Sequence, residues 1–396
     1  MKQIETPIPY GKQQIDDDDV NAVVKVLRSS HLTQGPVVNQ FEKALANYCG
    51  ARHAIAFSSG TAALHAACAI AGLGPKQELL TSPISFVASS NCGLFLGAKA
   101  RFADVDFRTA QITAKTIKEH LRKKTKVIVP VDFAGRPSDA AIYELAKKKN
   151  ITVIQDACHS LGSEWKDEKG KWHKTGDCSY ADMTCFSFHP VKSITTGEGG
   201  AITTNDTALA NQLIQFRQHG ITKNKKEFLN KEFANEPWYH EMHNLGYNYR
   251  ITDIQAALGL NQINKLDHFI KKRAELVATY LEHLPEFVVT LEGNDKAHRS
   301  AHHLFPIRVQ KNVRNQLMRD LIERGIHVQL HYIPIYRQPY YQSIDAYDFG
   351  DYPNAEEYFA TALSLPVYVS LSQKQVRFIA QTITKLMNSY AANRMG

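Results

Sequence analysis

The sequence predicts an α/β fold with a mostly parallel central sheet and a smaller α/β domain at its C-terminal end. From residue 54 to residue 187, short, unbroken apolar runs alternate with amphipathic stretches. After a long helical stretch the alternation resumes on a smaller scale. Unbroken apolar runs suit strands covered on both faces, which is the arrangement of a parallel sheet flanked by helices. Such sheets bind ligands beyond the carboxyl ends of their strands, which directs attention to the loops that follow each run.

Asp16–Arg28 opens with four acids, suited to a positive helix N-terminus, and Val20, Val23, Val24 and Leu27 then repeat at helical spacing. Val38, Phe41, Leu45 and Tyr48 mark a second helix, with Gly50 as its stop. Ala54–Phe57 is the first strand and leads through Ser58-Ser59-Gly60-Thr61 into an Ala-rich helix. Leu79–Leu80, Ala100–Val105, Val127–Val131, Ile151–Gln155 and Met183–Ser187 are further strands, and Ser138–Lys149 is a helix among them. A single helix over about Thr252–Tyr280 leads onward. His303–Val309 and His327–Leu330 then read as strands, with a helix near Asn312–Arg324 between them and Gln373–Met387 as the closing helix. The division is expected near residue 265. Residues 1–265 form the large domain and 266–396 the small one, with the N-terminal segment able to pack against the latter.

Of 396 residues, 43% are hydrophobic and 22% charged, with 22 Gly and 15 Pro, which excludes collagen and a mostly disordered chain. The net charge of +8 admits an anionic partner. The basic runs are short, and most lie on or beside helices, so they read as solvated faces and not as a nucleic-acid patch. Six cysteines without a C-x-x-C pair point to reduced thiols in a cytoplasmic protein, without zinc or a disulfide framework. Four aspartates precede any apolar run, so no signal peptide is expected, and Ala62–Gly74 is too short to span a membrane. His240-Glu241-Met242-His243 lacks the spacing of a zinc helix, and no metal site is expected. His302-His303 reads as a strand or loop pair near the domain junction.

Three segments carry chemistry. Lys192 stands alone in the mainly uncharged stretch Phe186–Gly200, after a strand and before a Gly-rich turn. On its own it is a loop lysine or a nucleophile with a lowered pKa. Asp156 ends an apolar run and is either a turn residue or the partner of a cationic ring nitrogen. Ser58–Thr61 is either a helix cap or an anion cradle. Taken in order, a phosphate cradle, an aspartate after a central strand and a lysine beside a Gly-rich turn match the needs of pyridoxal-phosphate enzymes.

With Asp156-Ala157-Cys158-His159, Asn248-Tyr249-Arg250 and Gly197-Glu198-Gly199-Gly200 added, the sequence resembles the sugar-nucleotide aminotransferases over essentially its whole length. These are fold-type I pyridoxal-phosphate enzymes, with a large domain around a mostly parallel sheet and a smaller C-terminal α/β domain. The resemblance implies that Lys192 is the catalytic residue, holding the cofactor as a Schiff base and moving the substrate proton. It implies that Asp156 pairs with the ring nitrogen, Phe86 stacks on the ring, and His159 lies near the phenolic oxygen. Gly60, Thr61 and Ser187 would bind the phosphate, and Asn248 would reach the phosphate of the other subunit of a homodimer. Tyr10, the Ser30-His31-Leu32-Thr33 loop, His331 and Tyr332 would contact the sugar nucleotide together with Gly60 and Ser187. A dehydratase branch carries His where Lys192 stands, so the resemblance favours transamination.

Leu32–Gly35, Pro83–Ala88, His159–Glu164, Ser187–His189 and His331–Tyr336 look closest to the pseudaminic acid branch of that family. This implies L-glutamate as donor and a UDP-linked 4-keto-6-deoxy-N-acetyl hexose as acceptor. Another keto sugar nucleotide, 3-keto or dTDP-linked, is the alternative, and a non-catalytic nucleic-acid-binding protein the remote one. Arg250 is a candidate for the donor's carboxylate, or else a structural salt bridge.

Overall fold

The computed structural model describes residues 7–392. Its centre is a seven-stranded sheet. Five strands come first: β1 (His53–Phe57), β2 (Glu78–Thr81), β3 (Lys99–Phe102), β4 (Thr125–Val129) and β5 (Thr152–Asp156). A side hairpin of β6 (Glu164–Lys166) and β7 (Trp172–Lys174) follows, before β8 (Met183–Ser187) and β9 (Gly200–Thr204) complete the sheet. The order is β1-β9-β8-β5-β4-β2-β3. β9 pairs antiparallel with both β1 and β8, and the other pairs are parallel, so every strand but β9 runs the same way.

The apolar runs are continuous because successive residues face two cores. Leu79, Val127, Ile154 and Met183 pack with the Ala-rich helix Gly60–Ile70 and helix Thr207–Phe216. Leu80, Ile128 and Val153 turn the other way, against helix Ala140–Lys149 and a group that includes Tyr336, Tyr341 and Tyr358. The aspartate run near the N-terminus works as a cap. Asp16 accepts from the amides of Asp18 and Asp19 at the start of helix Asp17–Leu27, and the Asp19 carboxylate accepts from the Asp16 amide. Gly50, at φ +80°, ends helix Pro36–Cys49 in the left-handed conformation.

Beyond residue 265, helices Leu266–His283, Lys311–Glu323 and Gln373–Ala392 enclose an apolar cluster with the antiparallel strands Val289–Thr290, Phe305–Arg308 and Ala362–Leu365. Ile8 is buried in the same cluster; its amide donates to the Gly325 carbonyl, and its own carbonyl accepts from the His327 amide.

Three expectations are corrected. The single helix expected from 252 to 280 is two helices, Asp253–Ile263 and Leu266–His283. No Gly or Pro marks the break; the Lys265 ammonium between them is 3.0 Å from Asp19, a tertiary contact the periodicity does not register. His327–Leu330 forms no strand and makes only a bridge between Gln329 and Ser364. The place beside Phe305–Arg308 is taken by Ala362–Leu365. β9 is absent from the expected strands because two of its five residues are threonine, yet Thr203 and Thr204 are fully buried.

Candidate active site

Loops following β1, β2, β5 and β8 converge at one end of the sheet on a cavity of about 420 Å³. Gly60, Thr61, Phe86, Asp156, His159, Ser187 and Lys192 line it from the large sheet's side. Tyr10, His331 and Tyr332 close it from the other.

The cradle comes from the end of β1. Ser59 caps helix Gly60–Ile70, its Oγ accepting from the Ala62 amide at 3.1 Å. The first-turn amides of Gly60 and Thr61 have no acceptor among the described residues and are open to a ligand. A Cβ on Gly60 would lie 2.8 Å from Ser187 Cβ, and one on Gly200 would lie 2.4 Å from the Ser59 carbonyl oxygen. Only glycine permits this approach of β8, β9 and the helix start.

Asp156, the last residue of β5, is almost fully buried. Its Oδ2 accepts from Ser89 Oγ at 2.6 Å, Ser89 and Ser85 are themselves 2.6 Å apart, and Oδ1 accepts from the Cys158 amide at 3.2 Å. Lys192 Nζ makes no hydrogen bond or ion pair among the described residues. Burial lowers the amine below its ordinary value, against the opposing fields of Cys158 and Asp156.

His159 Nε2 is 3.2 Å from the Tyr332 hydroxyl, and His331 Nδ1 is 2.9 Å from Ser364 Oγ. Burial and the Lys192 charge hold the His159 imidazole well below its usual range and bring that of His331 down to about 4. Both are neutral at pH 7. Burial also pushes the Tyr332 hydroxyl up. The Phe86 ring is more than half exposed and 6.4 Å from that of Tyr332.

The residues fit pyridoxal phosphate. Two free amides at a helix start suit its phosphate, and a buried carboxylate suits its ring nitrogen. An unpaired amine is present to bond its aldehyde carbon, and His159 Nδ1 is a buried nitrogen without a partner.

Other expected residues lie elsewhere. Ser30, His31, Leu32 and Thr33 form an exposed loop outside this cavity. It is held by the Asp253 amide donating to the Leu32 carbonyl at 3.0 Å, while the Asp253 carboxylate accepts from the amides of Gly35 and Val37. Asn248 is exposed and bridges Gln218, and Arg250 lines a separate hollow with Gln34 and Arg217. Sequence reasoning missed Ser89 and His303, both of which line the cavity. The signal for Ser89 was its spacing from Ser85, one helical turn after the end of β2. Among the described residues no group of three or more His, Cys, Asp or Glu side chains is placed to hold a metal, and no helix is long and apolar enough to cross a membrane.

A mostly parallel sheet with one reversed strand, carrying a lysine, a carboxylate and a helix N-terminus around one cavity, defines a fold-type I pyridoxal-phosphate-dependent enzyme. The DegT/DnrJ/EryC1/StrS aminotransferase family matches residues 13–384, and the chain belongs to it. It is a pyridoxal-phosphate-dependent sugar aminotransferase. The UDP-4-amino-4,6-dideoxy-N-acetyl-β-L-altrosamine transaminase of Campylobacter jejuni is 36% identical over 392 residues, covering 96% of this chain and 97% of that one. Among solved structures, Helicobacter pylori PseC, an aminotransferase of pseudaminic acid biosynthesis, superposes with a TM-score of 0.86 at 32% identity, covering 97% of this chain and 100% of that one. The PMP form of a Streptococcus pneumoniae sugar aminotransferase superposes with a TM-score of 0.90 at 26% identity, covering 98% and 100%.

Proposed function

We propose that this enzyme moves the amino group of L-glutamate to C4 of a UDP-linked 4-keto-6-deoxy-N-acetyl hexose, with Lys192 as the catalytic residue. The observation that carries the chemistry is the unpaired Lys192 amine, lowered by burial, in one cavity with the Asp156 carboxylate and the free amides of Gly60 and Thr61. The acceptor rests on the full-length similarity to the altrosamine transaminase.

Pyridoxal phosphate, when bound, supplies an electron sink for the carbon that loses its proton. Lys192 would hold the cofactor through its amine and, once the substrate's amine has displaced it, would move the proton to and from the substrate carbon at its Nζ. Asp156, oriented by Ser89 and the Cys158 amide, holds a proton on the ring nitrogen. Gly60, Thr61 and Ser187 would hold the phosphate, Phe86 would pack on the ring, and His159 would serve the phenolic oxygen. Tyr10, His331 and Tyr332 bind the sugar nucleotide from the opposite wall, with Gly60 and Ser187 at its inner end.

Asn248 and the Ser30–Thr33 loop lie outside their own subunit's cavity, so their roles require a partner subunit. On that reading the working enzyme is a homodimer with shared sites, and we place it in the cytoplasm. We place the division between the large and small domains at residue 265, because most of the apolar residues beyond it gather, with Ile8, in one cluster, while Tyr336, Tyr341 and Tyr358 pack back on the large sheet.

The test is an absorption spectrum of the purified protein before and after L-glutamate. The expected result is conversion of the cofactor's bound-aldehyde band to its amine form, followed by reversal on adding the UDP-linked 4-keto sugar. Reversal by a 3-keto or dTDP-linked sugar alone would reassign the acceptor, and no band after reconstitution would overturn the lysine's role.

A further inference from the structure

A second cavity, of about 360 Å³, backs onto the one described above. His303 lines the first, His302 lines the second, and Leu304 lines both. The function proposed above gives the second cavity no role. Helix Leu266–His283 supplies Val277 and Leu281 to its wall, and Leu291 and Phe305 face it from the small domain's strands and their connections. Leu281 is 57% exposed, so the mouth opens to solvent along this helix. A concave, largely apolar lining with a few polar groups is the ordinary form of a small-molecule site.

His302 supplies the polar group. Its side chain is only 7% exposed. Asn294 Oδ1 accepts from the Ser300 amide at 2.7 Å, which leaves Asn294 Nδ2 facing His302 Nε2 at 3.3 Å. An amide NH2 only donates, so Nε2 accepts, and the one proton of the neutral imidazole sits on Nδ1. That nitrogen has no hydrogen-bond partner among the described residues. It lies beside Gly293, whose added Cβ would stand 3.8 Å from it and which lines the same cavity. A buried ring thus holds out an unused donor in an apolar hollow.

Charge narrows the occupant. Arg136 also lines the cavity, but its guanidinium already lies 3.2 Å from Asp139 and 3.0 Å from Asp295. The Glu292 carboxylate is in the lining as well. An anion would find no unpaired cation here and would meet carboxylates instead.

We propose that this cavity is a second ligand site, taking an uncharged small molecule. Its apolar body lies on Val277, Leu281 and Leu291, and its carbonyl or hydroxyl oxygen accepts from His302 Nδ1. The site goes beyond the aminotransferase reading and does not depend on it.

The experiment is methyl NMR of the purified enzyme with pyridoxal phosphate present, titrated with acetanilide, a neutral amide that cannot react with the cofactor. Saturable shifts are expected at the methyls of Val277, Leu281 and Leu291, with a dissociation constant of about 1 mM or tighter. Leu64, in the first cavity, should not respond. Ala278→Trp, at an exposed helix position in the mouth, should abolish the shifts. If that variant does not fold, Leu281→Trp blocks the same mouth. His302→Phe should raise the dissociation constant about threefold to tenfold, as for one lost neutral hydrogen bond. If it does not fold, His302→Leu carries the same expectation. Benzoate, similar in size but anionic, should bind more weakly than acetanilide. Shifts confined to Leu64, no saturation, or binding unchanged by either substitution would overturn the proposal, and tighter binding of benzoate would overturn the uncharged occupant.

Discussion

Lys192 is the residue on which the chemistry turns. Lys192→Ala should reduce the glutamate half-reaction to background while the thermal unfolding midpoint stays within a few degrees, because the amine makes no contact that the fold needs. Rapid-mixing spectroscopy with glutamate checks this. Ser89 works through Asp156. Removing its hydroxyl deletes one charge-assisted bond, on the order of 1.5–3 kcal/mol, so Ser89→Ala should weaken cofactor binding by about tenfold or more in equilibrium titration. Titration of buried groups governs stability in acid. His302 and His331 are both brought down to about 4 by burial, from an ordinary value of 6.5. The unfolded chain therefore binds more protons as pH falls from about 6.5 toward 4, and their contribution, complete above 6.5, is lost over that window. Asp132 acts in the opposite sense. Burial raises it to about 6 from 3.8, so its penalty on the folded state fades as pH falls below 6. The melting temperature of the cofactor-free enzyme should fall as pH drops from about 6.5 toward 4, with Asp132 offsetting part of the loss below pH 6, and His302→Phe should flatten that fall.

At the scale of elements, legibility followed the physical origin of each signal. The parallel strands were readable because burial on both faces demands unbroken apolar runs, and the helix starts were readable because Asp16 and Ser59 carry their caps in the sequence. Lys192, Asp156 and Gly60 could be picked out because each follows directly on a strand or opens a helix. His303 could not: it reaches the cavity wall only because the fold brings it against the His159 ring from far away in the chain. β9 was hidden by its threonines, and the break near Lys265 by a contact with Asp19 across the tertiary structure. The cradle makes a prediction at this scale. Gly60→Ala sets a methyl 2.8 Å from Ser187 Cβ, and Gly200→Ala sets one 2.4 Å from a backbone oxygen. Ser187 Cβ is fixed by its own backbone, as the Ser59 oxygen is, and the Gly200 contact is the closer of the two. Both variants should therefore lower the melting temperature, Gly200→Ala by more, and Gly60→Ala should also weaken cofactor binding. Calorimetry with and without pyridoxal phosphate separates the two.

Over the whole molecule, exposed apolar side chains concentrate between Leu229 and Tyr247, where Leu229, Trp238, Met242 and Leu245 are each more than 60% exposed. Asn248, the residue assigned to the partner's phosphate, directly follows this stretch. Sedimentation should find a dimer, and Trp238→Glu with Leu245→Glu should shift it toward monomer and reduce activity together. Activity retained by a monomer would remove Asn248 from the site.

The reversal of β9 has a temporal meaning. It brings Gly200 against Ser59, and the opposite wall of the cavity waits for His331 and Tyr332. During synthesis on the ribosome the phosphate cradle exists as sequence long before the strand that closes it has emerged, and the wall facing it arrives later still. A nascent chain therefore lacks both the closing strand and the facing wall of its cofactor site until most of its length has been translated.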